Sequence, residues 1–175
     1  MLDAARCAGE ILRVIASVRA WLFRQGLNLL PAYWGTGARV EYFSSDGREV
    51  RIALPLSWRT RNYVGTIFGG SMYAAVDPVY MVMLIRLLGP DYVVWDKSAT
   101  IRFRRPGRST LRARFLVPEA ETDEIRAALE VQRSIDRTYR IELVDGEGTV
   151  CAEIEKVVYV RRRATAPAAA KRSAG

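Results

Sequence analysis

From Asn62 to Leu88 the chain reads NYVGTIFGGSMYAAVDPVYMVMLIRLL, an apolar stretch opened by Gly65, Gly69 and Gly70, with Asp77 and Arg86 its only charged residues. No further turn signal interrupts it before Gly89-Pro90, and apolar runs of this length favour helix over strand. The segment therefore reads as one long buried helix entered through a tight glycine turn. It is nearly long enough to cross a bilayer, but Asp77, Pro78, the glycines and the strand-rich remainder favour burial in a protein core. The first turn of such a helix presents free N–H groups, and without side chains at Gly69 and Gly70 a ligand oxygen could approach them closely. A carboxylate, Asp77, follows in otherwise apolar surroundings.

The flanking sequence alternates as strands do. Ala38–Ser44 and Glu49–Leu54 are joined by a hairpin turn, SSDGR, with Val50, Ile52 and Leu54 on one face. A long strand is expected from Tyr92 to Arg105. It places Val93, Trp95, Lys97, Ala99, Ile101 and Phe103 on one face and Val94, Asp96, Ser98, Thr100, Arg102 and Arg104 on the other. Lys97 is the charged exception on the apolar side, and either reaches out of the core or pairs with an acid. Thr110–Val117 returns as a strand. A short helix follows between Thr122 and Val131, with Thr122 as its cap. Tyr139–Val144 and Thr149–Val160 are the last strands. LNLLPAYWGTG reads as an irregular connection.

Residues 8 to 25 form an amphipathic helix ended by Gly26, with Ala8, Ile11, Leu12, Ile15, Val18 and Leu22 as its apolar stripe. That stripe is expected to pack against the domain. The alternative is a basic helix lying on an anionic membrane, which Trp21 and Phe23 keep open.

Composition narrows the chemistry. The 175 residues suit one domain, and there is no histidine. Its absence removes Ser-His-Asp and Cys-His catalysis and most mononuclear zinc sites. Acid–base work falls to carboxylates, Lys, Tyr, Cys or water. Cys7 and Cys151 show neither metal-ligand spacing nor a disulfide framework, which suits a reducing compartment. No signal-peptide pattern opens the sequence, and a cytoplasmic protein is expected. The net charge is +8, yet the acid-free end from Arg161 to Gly175 carries Arg161, Arg162, Arg163, Lys171 and Arg172. The body is thus only weakly basic, which argues against nucleic acid as the partner.

The pattern Asn62…Gly65…Phe68-Gly69-Gly70 followed by Asp77 resembles the signature of the hotdog-fold acyl-CoA thioesterases of the phenylacetate-pathway-like branch. GTIFGGSMYAAVDP, VVWDKSATIRFRRPG and the closing EKVVYVR resemble most closely the hotdog family DUF4442, over about residues 35 to 163. The resemblance implies an α+β hotdog fold: a curved antiparallel sheet wrapped round a long central helix, here with an extra N-terminal helix. It implies an N-terminal helix and connection over 1–30, a hotdog domain over 31–163, and a disordered basic tail over 164–175. It also implies a homodimer, possibly a tetramer, in which Asp77 acts across the interface.

Carried over residue by residue, the resemblance makes Asp77 the catalytic carboxylate and the Gly70 or Gly69 N–H the oxyanion donor. Asn62 would orient the thioester or the attacking water. Phe68 stands where related thioesterases often have His; it can line a pocket but cannot move a proton. No metal or organic cofactor is implied beyond the coenzyme A of the substrate. Arg102, Arg104, Arg105 and Arg108 become candidates for its phosphates, or form a solvated strand face. Ser71, Tyr73 and Lys97 are further substrate-binding candidates, although Ser71 also suits a helix start and Tyr73 a core aromatic. The plainer reading of the centre makes Gly69-Gly70 a packing turn and Asp77-Pro78 a cap or kink, its carboxylate paired with Lys97 or an arginine. A non-catalytic acyl or lipid binder and a membrane-surface protein are the competing functions.

Overall fold

Six antiparallel strands, in the order β1-β2-β4-β5-β6-β3, wrap the apolar segment. The computed structural model describes residues 2–163, so the expected disordered tail, 164–175, lies outside the described residues. The strands are β1 (Arg39–Phe43), β2 (Glu49–Leu54), β3 (Tyr92–Phe103), β4 (Leu111–Leu116), β5 (Ser134–Val144) and β6 (Val150–Arg162). The helices are α1 (Leu2–Leu29), α2 (Pro31–Gly35), α3 (Gly69–Val76), α4 (Val79–Leu88) and α5 (Glu119–Val131). This is the hotdog arrangement.

The central segment is two helices rather than one. Pro78 has no N–H to continue the ladder, so α3 closes with the Asp77 N–H donating to Tyr73 O at 3.0 Å and α4 opens with Val82 N–H donating to Pro78 O at 3.0 Å. Together they bury Met72, Ala75, Val76, Val79, Tyr80, Met83, Leu84 and Leu88. Tyr80 stacks on Tyr139 of β5 at 4.0 Å between centroids and meets Phe115 of β4 edge-on at 5.2 Å. These rings tie helix to sheet through about 0.5–1.5 kcal/mol per pair beyond their burial.

Two expectations about side-chain direction are corrected. β3 keeps strict pairing with β6 except for a bulge between Asp96 and Ser98. The extra residue, Lys97, inverts the alternation. Asp96 pairs with buried Val158 before it, and Ala99 and Ile101 pair with buried Lys156 and Ile154 after it. Val93 and Trp95 therefore do not share a face with Ile101. Trp95 instead stacks on Tyr159, at 4.4 Å, on the outer face. In α1 the residues turned to the domain are Ala20, buried, with Phe23 and Leu27 partly so, whereas Ile11, Leu12, Ile15, Val18 and Leu22 are exposed. The expected packing stripe faces away.

Smaller differences have local causes. α1 passes through Gly26 and stops before Pro31, because the residue preceding a proline avoids the α region; Leu30 is extended, with ψ 119°. The supposed irregular connection contains α2, whose buried Tyr33 donates to Ala75 O at 3.2 Å. α5 starts at Glu119 rather than Thr122, and the Thr122 hydroxyl bonds back to Glu119 O at 2.7 Å inside the first turn. β5 begins at Ser134, earlier than Tyr139.

The two ends of the sheet differ. At β1, the Asn28 carboxamide of α1 accepts from Val40 N–H at 2.7 Å and donates to Val40 O at 3.0 Å, while Arg24 donates to Glu41 O at 2.7 Å. At the other end β3 pairs with β6 alone among the described residues.

Candidate active site

The turn leading into α3 is built by Asn62. Its side-chain oxygen accepts from Val64 N–H at 3.1 Å and Thr66 N–H at 3.0 Å, and its amide donates to the Thr66 hydroxyl at 2.9 Å. Gly65, at φ +81°, supplies the left-handed residue this loop requires. The Asn62 carboxamide oxygen and one of its N–H bonds are thus used in holding the loop. The loop is then clamped to its neighbours, with Ile67 N–H donating to Gly107 O at 2.8 Å and Phe68 N–H to Thr60 O at 2.7 Å.

Phe68 is the N-cap of α3. Met72 N–H donates back to Phe68 O, while the N–H groups of Gly69 and Gly70 find no acceptor among the described residues. A Cβ on Gly69 would lie 2.8 Å from the Phe103 ring, and one on Gly70 would lie 2.3 Å from the Phe68 ring, so a side chain at either position would have to push an exposed ring aside. Two aromatic rings therefore wall the free donors. Ser71 follows, half-buried, in the first turn.

Two turns further on, Asp77 meets a group that sequence reasoning missed. Lys156 of β6 is wholly buried. Its ammonium donates to Asp77 Oδ1 at 2.6 Å and to the Asp77 carbonyl, and forms an ion pair with Asp96 Oδ2 at 2.9 Å. The Tyr73 hydroxyl also donates to Asp77 Oδ1, at 2.7 Å, and burial together with that carboxylate pushes its own pKa up to about 12. Asp77 Oδ2 has no partner among the described residues, and the Asp77 side chain is 41% exposed. Asp96 Oδ1 is buried without a partner, and burial raises the Asp96 pKa despite the opposing Lys156 contact.

The partner of Asp77 is therefore neither Lys97 nor an arginine. Lys97 leaves the core in the β3 bulge and pairs with Asp136 at 2.6 Å on the surface. The signal for Lys156 lay in β6, where it occupies the inward phase of Ala152, Ile154, Val158 and Val160. The signal for Asp96 was hidden by the bulge, which turns an apparently outward residue inward.

The arginines divide. Arg104 pairs with Glu153 at 2.7 Å, and Arg102 shares the outer sheet face with Arg140, Glu142, Glu153 and Glu155. That is a solvated strand face. Arg105 and Arg108 are exposed on the loop that holds Ile67 through Gly107, and like Arg61 they have no carboxylate within ion-pair distance among the described residues. Arg61 bridges to Ile67, so these three cations surround the loop before α3.

Among solved structures, a Pseudomonas aeruginosa protein of unknown function superposes with a TM-score of 0.65 at 17% identity, covering 89% of this chain and 96% of that one. A Chlorobaculum tepidum protein of unknown function gives 0.64 at 15%, covering 85% and 95%. A Haemophilus influenzae thioesterase gives 0.61 at 18%, covering 80% and 88%. At such identities the likeness establishes the fold. No curated protein matches the chain in sequence. The family model of the domain of unknown function DUF4442 matches residues 19–160, most of the chain, and the protein belongs to that family.

Proposed function

We propose that the protein hydrolyses an acyl thioester, with acyl-CoA as the substrate class. The observation that carries this is one helix with two complementary ends: unpaired glycine N–H groups at its start, and at its close a carboxylate held on one oxygen and free on the other. The N–H groups suit the oxyanion that forms when a thioester carbonyl is attacked. Asp77 Oδ2 suits the activation of water, which adds to the carbonyl carbon as the C–S bond breaks and the thiol leaves. Tyr73 and Lys156 fix the carboxylate's direction.

Seven residues of helix separate Gly70 from Asp77, about 10 Å along the axis. One carbonyl cannot touch both within a single chain. The reading therefore includes a dimer in which Asp77 of one copy faces the glycine turn of the other, and the open β3 edge is the natural seam. Arg61, Arg105 and Arg108 would take the coenzyme's phosphates at the mouth. The similarity in fold to a Haemophilus influenzae thioesterase agrees with this reading.

A second reading, an acyl-thioester binder without turnover, is favoured by Phe68. Its ring lies against Gly70 and brings no proton-transfer group to the carbonyl. Thiol release from a panel of short, medium and long acyl-CoAs, measured for wild type and Asp77→Asn at equal oligomeric state, separates the two. Hydrolysis predicts turnover that falls about 100-fold or more in the variant. Saturable acyl-CoA binding with no thiol release in either protein selects the binder.

A further inference from the structure

α1 shows the surrounding medium the face that its sequence would have buried. Ile11, Val14, Ile15, Val18, Trp21 and Leu22 are all about half exposed or more. At 100° per residue Val18 and Leu22 lie opposite Ala20, the buried contact with the domain. From Ile11 to Val40 there is no aspartate or glutamate. Arg19 flanks the exposed face, whereas Arg13 lies near the azimuth of Ala20 on the opposite side; neither has a carboxylate in ion-pair distance among the described residues.

Beside this face runs a groove floored by Leu22, Phe23, Leu27 and Leu30, with Arg19 and Arg86 on its walls. The Arg86 guanidinium lies 4.6 Å from the Phe23 ring and, like Arg19, has no acidic partner among the described residues. The apolar surface continues past Leu30 to exposed Trp34, whose ring carries the Arg59 guanidinium at 4.3 Å. Apolar side chains, two tryptophans at the margins and unpaired arginines along the same side are the chemistry of a helix lying in a lipid interface.

We propose that α1 seats the protein on the surface of an anionic phospholipid bilayer. The Ile11–Leu22 face enters the acyl boundary, and Arg19 and Arg86 beside it meet headgroup phosphates. A second copy suits the face less well. Self-pairing would offer the arginines of two chains Glu10 alone from the described side chains of α1, whereas an anionic bilayer supplies both an apolar phase and negative charge along the whole face. This inference does not depend on thioester hydrolysis.

The test is co-sedimentation of the full chain with vesicles of phosphatidylcholine alone and of phosphatidylcholine mixed with phosphatidylglycerol. Binding is expected to the mixed vesicles and to weaken with added salt. The double variant Val18→Asp, Leu22→Asp changes exposed positions only, so its thermal unfolding should match wild type while vesicle binding is lost. Arg19→Gln and Arg86→Gln should each lower the partition constant about fivefold. Wild type that ignores mixed vesicles, or a double variant that binds as well as wild type, overturns the proposal. So does a wild-type oligomer, indifferent to vesicles, that the double variant splits in light scattering; the face would then be a contact between copies.

Discussion

Two charge clusters lie side by side on the sheet, where Tyr139 of β5 pairs with Lys156 of β6, and they are built to different rules. Between α5 and β5, Arg137 grips Glu121 through two nitrogens, one at 2.9 Å and one at 2.5 Å, reaches Glu124 at 3.0 Å, and leaves Glu121 to accept the Tyr139 hydroxyl at 2.7 Å. Hydrogen bonding is completed at Glu121, and the second carboxylate, Glu124, lies largely in water. Beneath α3, one cation, Lys156, serves two carboxylates, with one oxygen of Asp96 orphaned and one of Asp77 open to the outside. The first cluster is a tie. The second leaves two carboxylate oxygens unbonded around a buried cation, and an unfinished arrangement of that kind is what a reacting centre requires.

Breaking the second cluster should cost most. Lys156→Met leaves two carboxylates facing each other without their cation, and the urea midpoint should fall by the equivalent of about 3–5 kcal/mol. Arg137→Ala breaks the first cluster, but Glu121 partly reaches water. The loss there should be about 1–2 kcal/mol by the same measurement. Equal losses would erase the distinction drawn between them. Tyr73→Phe removes one of two donors to Asp77 and should cost about 1 kcal/mol or less, because Lys156 remains. Its larger effect should fall on thiol release, through a less fixed carboxylate.

The smallest effect is the most discriminating, because pH should move the clusters in opposite directions. Asp96 has its pKa raised by burial, so the folded state binds its proton more tightly than the unfolded chain does. Stability from this group is present at low pH and is lost as pH rises through the usual carboxylate range to the raised value. Glu121 ends below its usual value, its Arg137 and Tyr139 bonds outweighing burial. Its contribution is present above the usual value and is lost as pH falls through the lowered one. Denaturation midpoints against pH should therefore show Asp96→Asn gaining on wild type as pH rises. Glu121→Gln should close on wild type as pH falls.

What could be read from the residues follows from how periodic they are. Glu49–Leu54 was legible to its boundaries because Val50, Ile52 and Leu54 alternate without interruption. The glycine turn and the place of Asp77 were legible because glycine pairs and a lone acid stand out in an apolar run. The Asp77–Lys156–Asp96 contact was not. It joins residues far apart in sequence, and it depends on a bulge at Lys97 that leaves no mark in composition. The direction of α1 was misread for a different reason. An apolar stripe states that something covers it, not that the covering is the protein's own core.

The Asn28 carboxamide, closing on Val40 as a neighbouring strand would, sets an upper bound on growth. A sheet with two receptive margins can add copies indefinitely and become a fibre. With α1 over the β1 margin, β3 is the edge left open for strand pairing among the described residues. Were copies to pair through it, two would satisfy each other and leave no edge for a third, so the carboxamide on α1 would bound an assembly formed at the far end of the sheet.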